Sequence, residues 1–556
     1  MISKLQNNVL RRFLQHRADF YRLCREIQSI SRHSIIVICN KLSVKVDTTL
    51  KKTLFIKNTM ILTATSLLLR FAGIIFKVWL ASLIGSEGIG LHQLVFSVYV
   101  LVSTFASSGI VTAVTKLTAE ELAIGSKKGA AKILRRSIEI TLIIAFISSA
   151  TVFFGAEFIA KYLLEDMRSV TALKVLPFSL PFMGLSSCIR GYFIARRRIT
   201  PNALTQILEQ FFRIVFIYIL VKRFIYAGIS AVCAAVIGGD IIAEILGFLI
   251  LYLSFLFDKK KIATGNENSA VPRKTVSKIL HIAVPITSGR YLNSLLRTAE
   301  NILVPKNLSK HSLNSTHALS QFGMIKGMAL PIIFFPSALL NSISTLLIPE
   351  ISEAIAKKRI LVVKTATGNI LKLTAIISFI FSAIFLVAGK KIGILIYKEA
   401  DVGFLLQALS PIIPFMYLDS ISDGILKGLD QQVFSFRTAI FDSSIRIILI
   451  LILLPQFGLL GFIGIMYFSN FLTCFLNVKR LIKVSGATLK LFSEIAIPLF
   501  SAFLAAFISN YLLSFIGETF DLIYIALLSI FSAFLYSIFL FLSGSLKKTE
   551  IIDFLK

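Results

Sequence analysis

Ile241-Ile-Ala-Glu-Ile-Leu-Gly-Phe-Leu-Ile-Leu-Tyr-Leu-Ser-Phe-Leu-Phe257 contains a single charged side chain, Glu244, and it decides the architecture. A helix of about 17 to 20 apolar residues crosses a hydrocarbon core of about 30 Å. Lipid offers the backbone no hydrogen bonds, so a run of this length and composition must be helical to satisfy its own amides. Ile138–Phe154 has the same character, and similar blocks recur along the chain. Of the 556 residues, 56% are hydrophobic and 16% charged, and the mean hydropathy is +0.82. A soluble chain carries about 25% charged residues. The fold class is therefore an all-α polytopic membrane protein.

Fourteen spans are expected, centred near residues 70, 101, 147, 180, 212, 242, 292, 333, 379, 414, 446, 468, 502 and 532. Pro177, Pro181, Pro285, Pro331, Pro336, Pro411 and Pro414 fall inside spans and should kink or break them. The net charge of +30 would suggest nucleic acid in a soluble protein. Here the basic residues lie in short loops. Alternating the loops places about 29 Lys and Arg on one side against about 9 on the other. Arg196-Arg197-Arg198, Lys259-Lys260-Lys261 and Lys357-Lys358-Arg359 share the basic side, which implies cytoplasmic termini and contact with anionic membrane lipids, not nucleic acid.

The domain expectation is a basic extension over 1–50, a six-span lobe over 51–258, a cytoplasmic linker over 259–278, a second lobe over 279–480, and two further spans with a tail over 481–556. A surface-lying basic helix and a poorly ordered extension are both compatible with residues 1–50. The lobes follow from a repeat at an offset of 233 residues. Gly191, Glu209 and Arg213 line up with Gly424, Asp442 and Arg446, and Pro181-Phe182 with Pro414-Phe415. Six spans separate the copies, so the repeat is parallel and leaves a cleft between lobes.

Ionisable residues inside spans are costly and should face a cavity or a partner. Arg70 and Lys77 lie seven apart on one helix face, as do Arg290 and Arg297, with Glu300 a turn further. At an offset of 220, Arg70 meets Arg290 and Lys77 meets Arg297. The planar guanidinium fork suits diphosphate oxygens. In the competing reading Arg297 pairs with Glu300 and Lys77 reaches the interface. Asp240 and Glu244, four apart, read either as a proton or sodium coupling site or as counter-charges to arginines such as Arg213. Gly85-Ser-Glu-Gly-Ile-Gly90 reads as a tight outer turn, since no Lys-Ser/Thr follows it. The five cysteines form no CxxC pair, and no ATPase motif, nucleophile elbow or His/Cys metal spacing is present, so neither an enzyme nor a cofactor is expected.

Arg70, Ile84-Gly-Ser-Glu-Gly-Ile-Gly-Leu91, Ser107–Lys116 and above all Ile189-Arg-Gly-Tyr-Phe193 with Pro201, Gln206, Glu209, Gln210 and Arg213 resemble one family. It comprises the stage V sporulation B-type proteins, polysaccharide exporters and MurJ-type lipid II flippases, within the MATE-like superfamily. The resemblance covers about residues 52–545. It implies two six-helix lobes plus a terminal pair, alternating access, and a cationic cavity at Arg70 and Arg290 with Arg297 close by. It also implies a groove at the last two spans for an undecaprenyl tail, and a bacterial cytoplasmic membrane setting. The cargo would be an undecaprenyl-diphosphate-linked saccharide such as a peptidoglycan, spore or exopolysaccharide precursor, with cell-wall synthesis enzymes as candidate partners. The rival transporter reading is a MATE-like cation-coupled antiporter using Asp240 and Glu244. A third, a non-transporting scaffold, leaves the intramembrane arginines without purpose.

Overall fold

The computed structural model describes residues 32–262, 275–338, 340, 351, 354–355, 357–488, 490–515 and 521–545. The chain divides between Ile61 and Leu62 into two units. Of the expected basic extension, residues 1–31 lie outside the described residues, and the first helix, α1 (Arg32–Ala123), begins at Arg32.

Every regular element among the described residues is helical. After α1 come α2 (Lys127–Phe158), α3 (Val170–Val175), α4 (Leu180–Ala195), α5 (Thr200–Phe224) and α6 (Ile229–Ile262). The chain continues with α7 (Thr275–Ser312), α8 (Ser315–Phe322), α9 (Leu330–Phe334) and α10 (Ile360–Tyr397). It ends with α11 (Ala400–Leu409), α12 (Ile413–Gly428), α13 (Gln432–Ser485), α14 (Ile497–Ser514) and α15 (Asp521–Leu542).

Ten stretches are long and apolar enough to cross a bilayer. Two of them, Ala64–Ala123 and Gln432–Ser485, are 60 and 54 residues long, far beyond the roughly 20 that one crossing needs. Each contains a glycine with non-helical backbone, Gly85 (φ 68°, ψ 179°) and Gly458 (φ 54°, ψ −131°), where the chain turns back. Positive φ is cheap only for glycine, which explains its place at both turns. Counted as two crossings each, these two stretches bring the apolar crossings among the described residues to twelve; α7 and the segment from α8 through α9 lie where the two other expected spans are centred.

The duplication is written into the backbone. Left-handed residues recur 233 positions apart at Gly125 and Lys358, Glu165 and Lys398, and Arg197 and Asp430. Helices α4 and α12 begin and end at the same offset. Each is preceded by a 3-10 turn at the expected prolines, Leu176–Ser179 and Ser410–Ile412. Proline lacks the amide that would continue the ladder and clashes with the preceding turn, so the same break appears twice.

Small residues let helices approach closely where lipid supplies no hydrophobic drive. A Cβ on Gly239 of α6 would stand 2.5 Å from Ile217 of α5, and one on Gly393 of α10 would stand 2.3 Å from the Gly403 amide of α11. Outside the duplication, α14 and α15 pack on α10 through Ala502, Ala505, Ala506 and Tyr536 against Ala375, Phe379 and Ala383. The Tyr536 hydroxyl donates to the Ile376 carbonyl at 3.2 Å.

Candidate functional site

The first crossing, ending at Gly85, and α7, ending before Leu313 (φ 53°), are the helices that carry the expected cationic stripes. Counted back from these turns at the helical rise, Lys77 lies about 12 Å along its helix, Arg70 about 22 Å, Arg297 about 24 Å and Arg290 about 35 Å. The register expected at an offset of 220 is therefore displaced by about two helical turns. Arg70 matches Arg297 in depth, and Arg290 sits nearer the far end.

Arg70, Lys77, Arg290 and Arg297 are all exposed. Among the described residues, Arg70, Lys77 and Arg297 form no ion pair with a carboxylate. A cation held against hydrocarbon without a partner would be expensive. Glu300 behaves differently. It is 3% exposed and pairs with Lys326 at 2.9 Å and with Arg446, so it does not neutralise Arg297 as one reading expected. Glu300 is thus a buried counter-ion rather than part of an open anion-binding surface.

The Glu300 cluster joins three elements. Lys326 comes from the π-helical turn Gly323–Ala329 that continues α8. Arg446 comes from the first half of α13, where it also lies 3.6 Å from Asp442, and Asp442 accepts a hydrogen bond from Ser469 at 2.6 Å. Two acids and two bases balance. Asp419, further along α12, accepts instead from the Asn477 amide at 2.8 Å.

A second cluster occupies the first half of the chain. Arg213 of α5 lies 2.9 Å from Asp240 of α6 and 3.2 Å from Glu209, and donates to Gln210 at 3.0 Å. Arg190 of α4 reaches Glu209 at 2.8 Å. Glu244, 6% exposed, lies beside Glu209, and its Oε1 has no hydrogen-bond partner among the described residues. Of the two expected roles for Asp240, the geometry gives it the Arg213 counter-charge.

The two halves meet along the second crossing, which runs back from Gly85. At that end Ser86 and Ser320 share a 2.7 Å hydrogen bond between hydroxyls. A Cβ on Gly90 would stand 2.2 Å from the Leu319 carbonyl, and one on Gly323 2.0 Å from that of Ser86. Mid-helix, Thr298 donates to the Ser97 carbonyl at 3.1 Å and Asn301 to the Ser97 hydroxyl at 2.9 Å. Farther along, Gly109 abuts the Ala283 carbonyl of α7. On the opposite side, Phe71 beside Arg70 meets Phe335 with ring centroids 5.9 Å apart.

Sequence reasoning did not single out Lys326, nor the buried Asp258, which pairs with Arg196 and with Arg198 at 2.5 Å and accepts from Tyr192. The signal for Asp258 was present: one acid follows a long apolar run directly beside the basic loops. Lys326 was hidden inside an apolar span with no acid at helical spacing. The expected Gly-rich turn is an anchor as well as a turn, since Glu87 binds Arg168 at 2.5 Å.

Residues 55–354 match the family model described as polysaccharide biosynthesis protein. The chain is 25% identical over 508 residues to stage V sporulation protein B of Bacillus subtilis (strain 168), covering 90% of this chain and 97% of the relative. It is 21% identical to the lipid II flippase MurJ of the same strain, covering 76% and 82% respectively. Among solved structures, a lipid II flippase MurJ in an inward closed conformation superposes with a TM-score of 0.66 at 16% identity, over 86% of this chain and 98% of that one. An inward-facing multidrug resistance MATE transporter superposes with a TM-score of 0.59 at 13% identity, over 76% and 96%.

Proposed function

The chain belongs to the polysaccharide biosynthesis protein family, and on that premise we propose that it is a flippase, a transporter and not an enzyme, for an undecaprenyl-diphosphate-linked saccharide. One observation carries this reading. Among the described residues, Arg213, Lys326 and Arg446 are held in ion pairs with buried acids, whereas Arg70, Lys77 and Arg297 are exposed cations with no carboxylate partner. Such a surface suits a diphosphate, whose oxygens accept charge-assisted hydrogen bonds from guanidinium forks. It repels a cationic drug. Arg290, nearer the basic end, would meet the headgroup first.

The proposed cycle admits the sugar-diphosphate between the lobes, 51–258 and 279–480, from the basic side. Rocking of the lobes then releases it at the Gly85 end while the polyprenyl tail stays in lipid against α14 and α15. In this reading both termini and the Arg196–Arg198 loop face the cytoplasm of a bacterial cell, where cell-wall synthesis enzymes could supply the cargo. The related stage V sporulation protein B and the MurJ flippase support a cell-wall precursor as cargo. Within this reading Glu244, beside the Arg213-paired Asp240, is where an ion would couple, which its orphaned oxygen supports.

Native mass spectrometry of the purified protein tests the cargo class. Binding of lipid II but not of a cationic dye is expected. The reverse preference would replace the flippase by a cation-coupled antiporter.

A further inference from the structure

The acids of the first-half cluster outnumber its bases. Around Glu244 stand Asp240 on its own helix, Glu209 and Arg213 on α5, and Arg190 on α4, with Tyr99 facing the group from the second crossing. Two guanidinium groups meet three carboxyl groups. If all three acids were ionised, a net negative charge would remain in the membrane interior, where an uncompensated charge costs several kcal/mol or more. One proton removes that cost.

The ion pairs say where the proton sits. Glu209 is engaged by Arg190 and Arg213. Asp240 is engaged by Arg213. Glu244 alone has no ion pair among the described residues, and its Oε1 is buried without a partner. Glu209 lies over α6 within the same turn, its Oε2 3.3 Å from where a Cβ on Gly247 would be. A carboxylic acid at Glu244 can donate its O–H toward the Glu209 carboxylate, whereas two carboxylates side by side would repel.

We infer that Glu244 is a proton-binding site, holding its proton toward Glu209, and that Asp240 is a fixed counter-charge of Arg213. Loss of the proton changes the cluster from neutral to negative and frees Glu244 to compete with Glu209 for Arg190 and Arg213. Tyr99 lies on the crossing that forms the seam between the halves, so that exchange acts on a helix bordering the cleft. Only the use of this proton in a transport cycle rests on the flippase reading. Its presence is a property of α4, α5 and α6.

Infrared difference spectroscopy of the full chain in lipid nanodiscs, taken from about pH 5 to about pH 8 where ordinary carboxyl groups are ionised, reads the protonated carboxyl directly. The parent should show a carboxylic-acid carbonyl band that is lost in Glu244→Gln. Glutamine mimics the neutral acid, so Glu244→Gln should also unfold within about 2 °C of the parent near pH 7. The inference is overturned if the band persists in Glu244→Gln, or if Glu244→Gln unfolds more than about 10 °C lower, which would mean an ionised Glu244 was required. Neither readout involves cargo, so failure of the flippase reading would leave this result standing.

Discussion

The two buried charge clusters grew from one duplicated pair and then diverged. Glu209 with Arg213 and Asp442 with Arg446 occupy equivalent positions 233 residues apart. In the second half, Glu300 and Lys326 join the pair and the charges balance. Gln93 stands at the position equivalent to Lys326. The first half recruits Arg190, Asp240 and Glu244 instead and ends with one acid in excess. Counted from the turns at Gly228 and Gly458, the places of Asp240 and Glu244 are taken in the second half by the neutral Asn470 and Cys474. The common scaffold positions an arginine; what surrounds it decides whether the cluster is a fixed tie or a group that can gain and lose a proton.

The largest expected effect breaks the balanced cluster. Glu300→Ala leaves Lys326 and Arg446 as close, buried like charges and should cost about 3–5 kcal/mol of stability, read as a lowered unfolding midpoint in detergent. Glu209→Ala should cost less, about 1–3 kcal/mol, because Asp240 remains on Arg213 and Glu244 can ionise to replace the missing acid. Equal losses for the two variants would erase the distinction between the halves.

A comparable effect is expected where the halves touch. Gly323→Ala places a methyl 2.0 Å from the Ser86 carbonyl and should cost about 1–3 kcal/mol through forced separation of the helices. The hydroxyls of Ser86 and Ser320 lie close enough that Ser86→Cys with Ser320→Cys should cross-link under oxidation. Failure of the pair to cross-link in membranes would show that the seam at the Gly85 end is not closed.

The smallest effect sharpens the contrast. Glu244→Gln should change stability by less than about 1 kcal/mol, since it removes no ion pair.

Much of this was legible in the sequence, for definite reasons. Apolar runs such as Ile241–Phe257 leave the backbone one solution, and the recurrence of Glu209-Arg213 in Asp442-Arg446 needs only a constant offset. The cationic stripes were legible as residues but not in register, because Arg70 and Arg290 resemble each other chemically and only the turns at Gly85 and Leu313 reveal that Arg70 and Arg297 share a depth. The partners of Glu300 were hidden for another reason. Lys326 and Arg446 stand 26 and 146 residues away, so only helix packing brings them together. The same holds for Arg190 and Glu209, which sit on different helices.

The central claim is that exposed intramembrane cations receive an anionic headgroup. Its most direct test is a reconstituted flipping assay with a fluorescent undecaprenyl-diphosphate saccharide, comparing the parent with Arg70→Ala and Arg297→Ala. Loss of a charge-assisted contact to the diphosphate should weaken binding by about 2–5 kcal/mol and abolish flipping at limiting cargo, while the unfolding midpoint stays near that of the parent. Flipping by both variants at the parent rate would contradict the account.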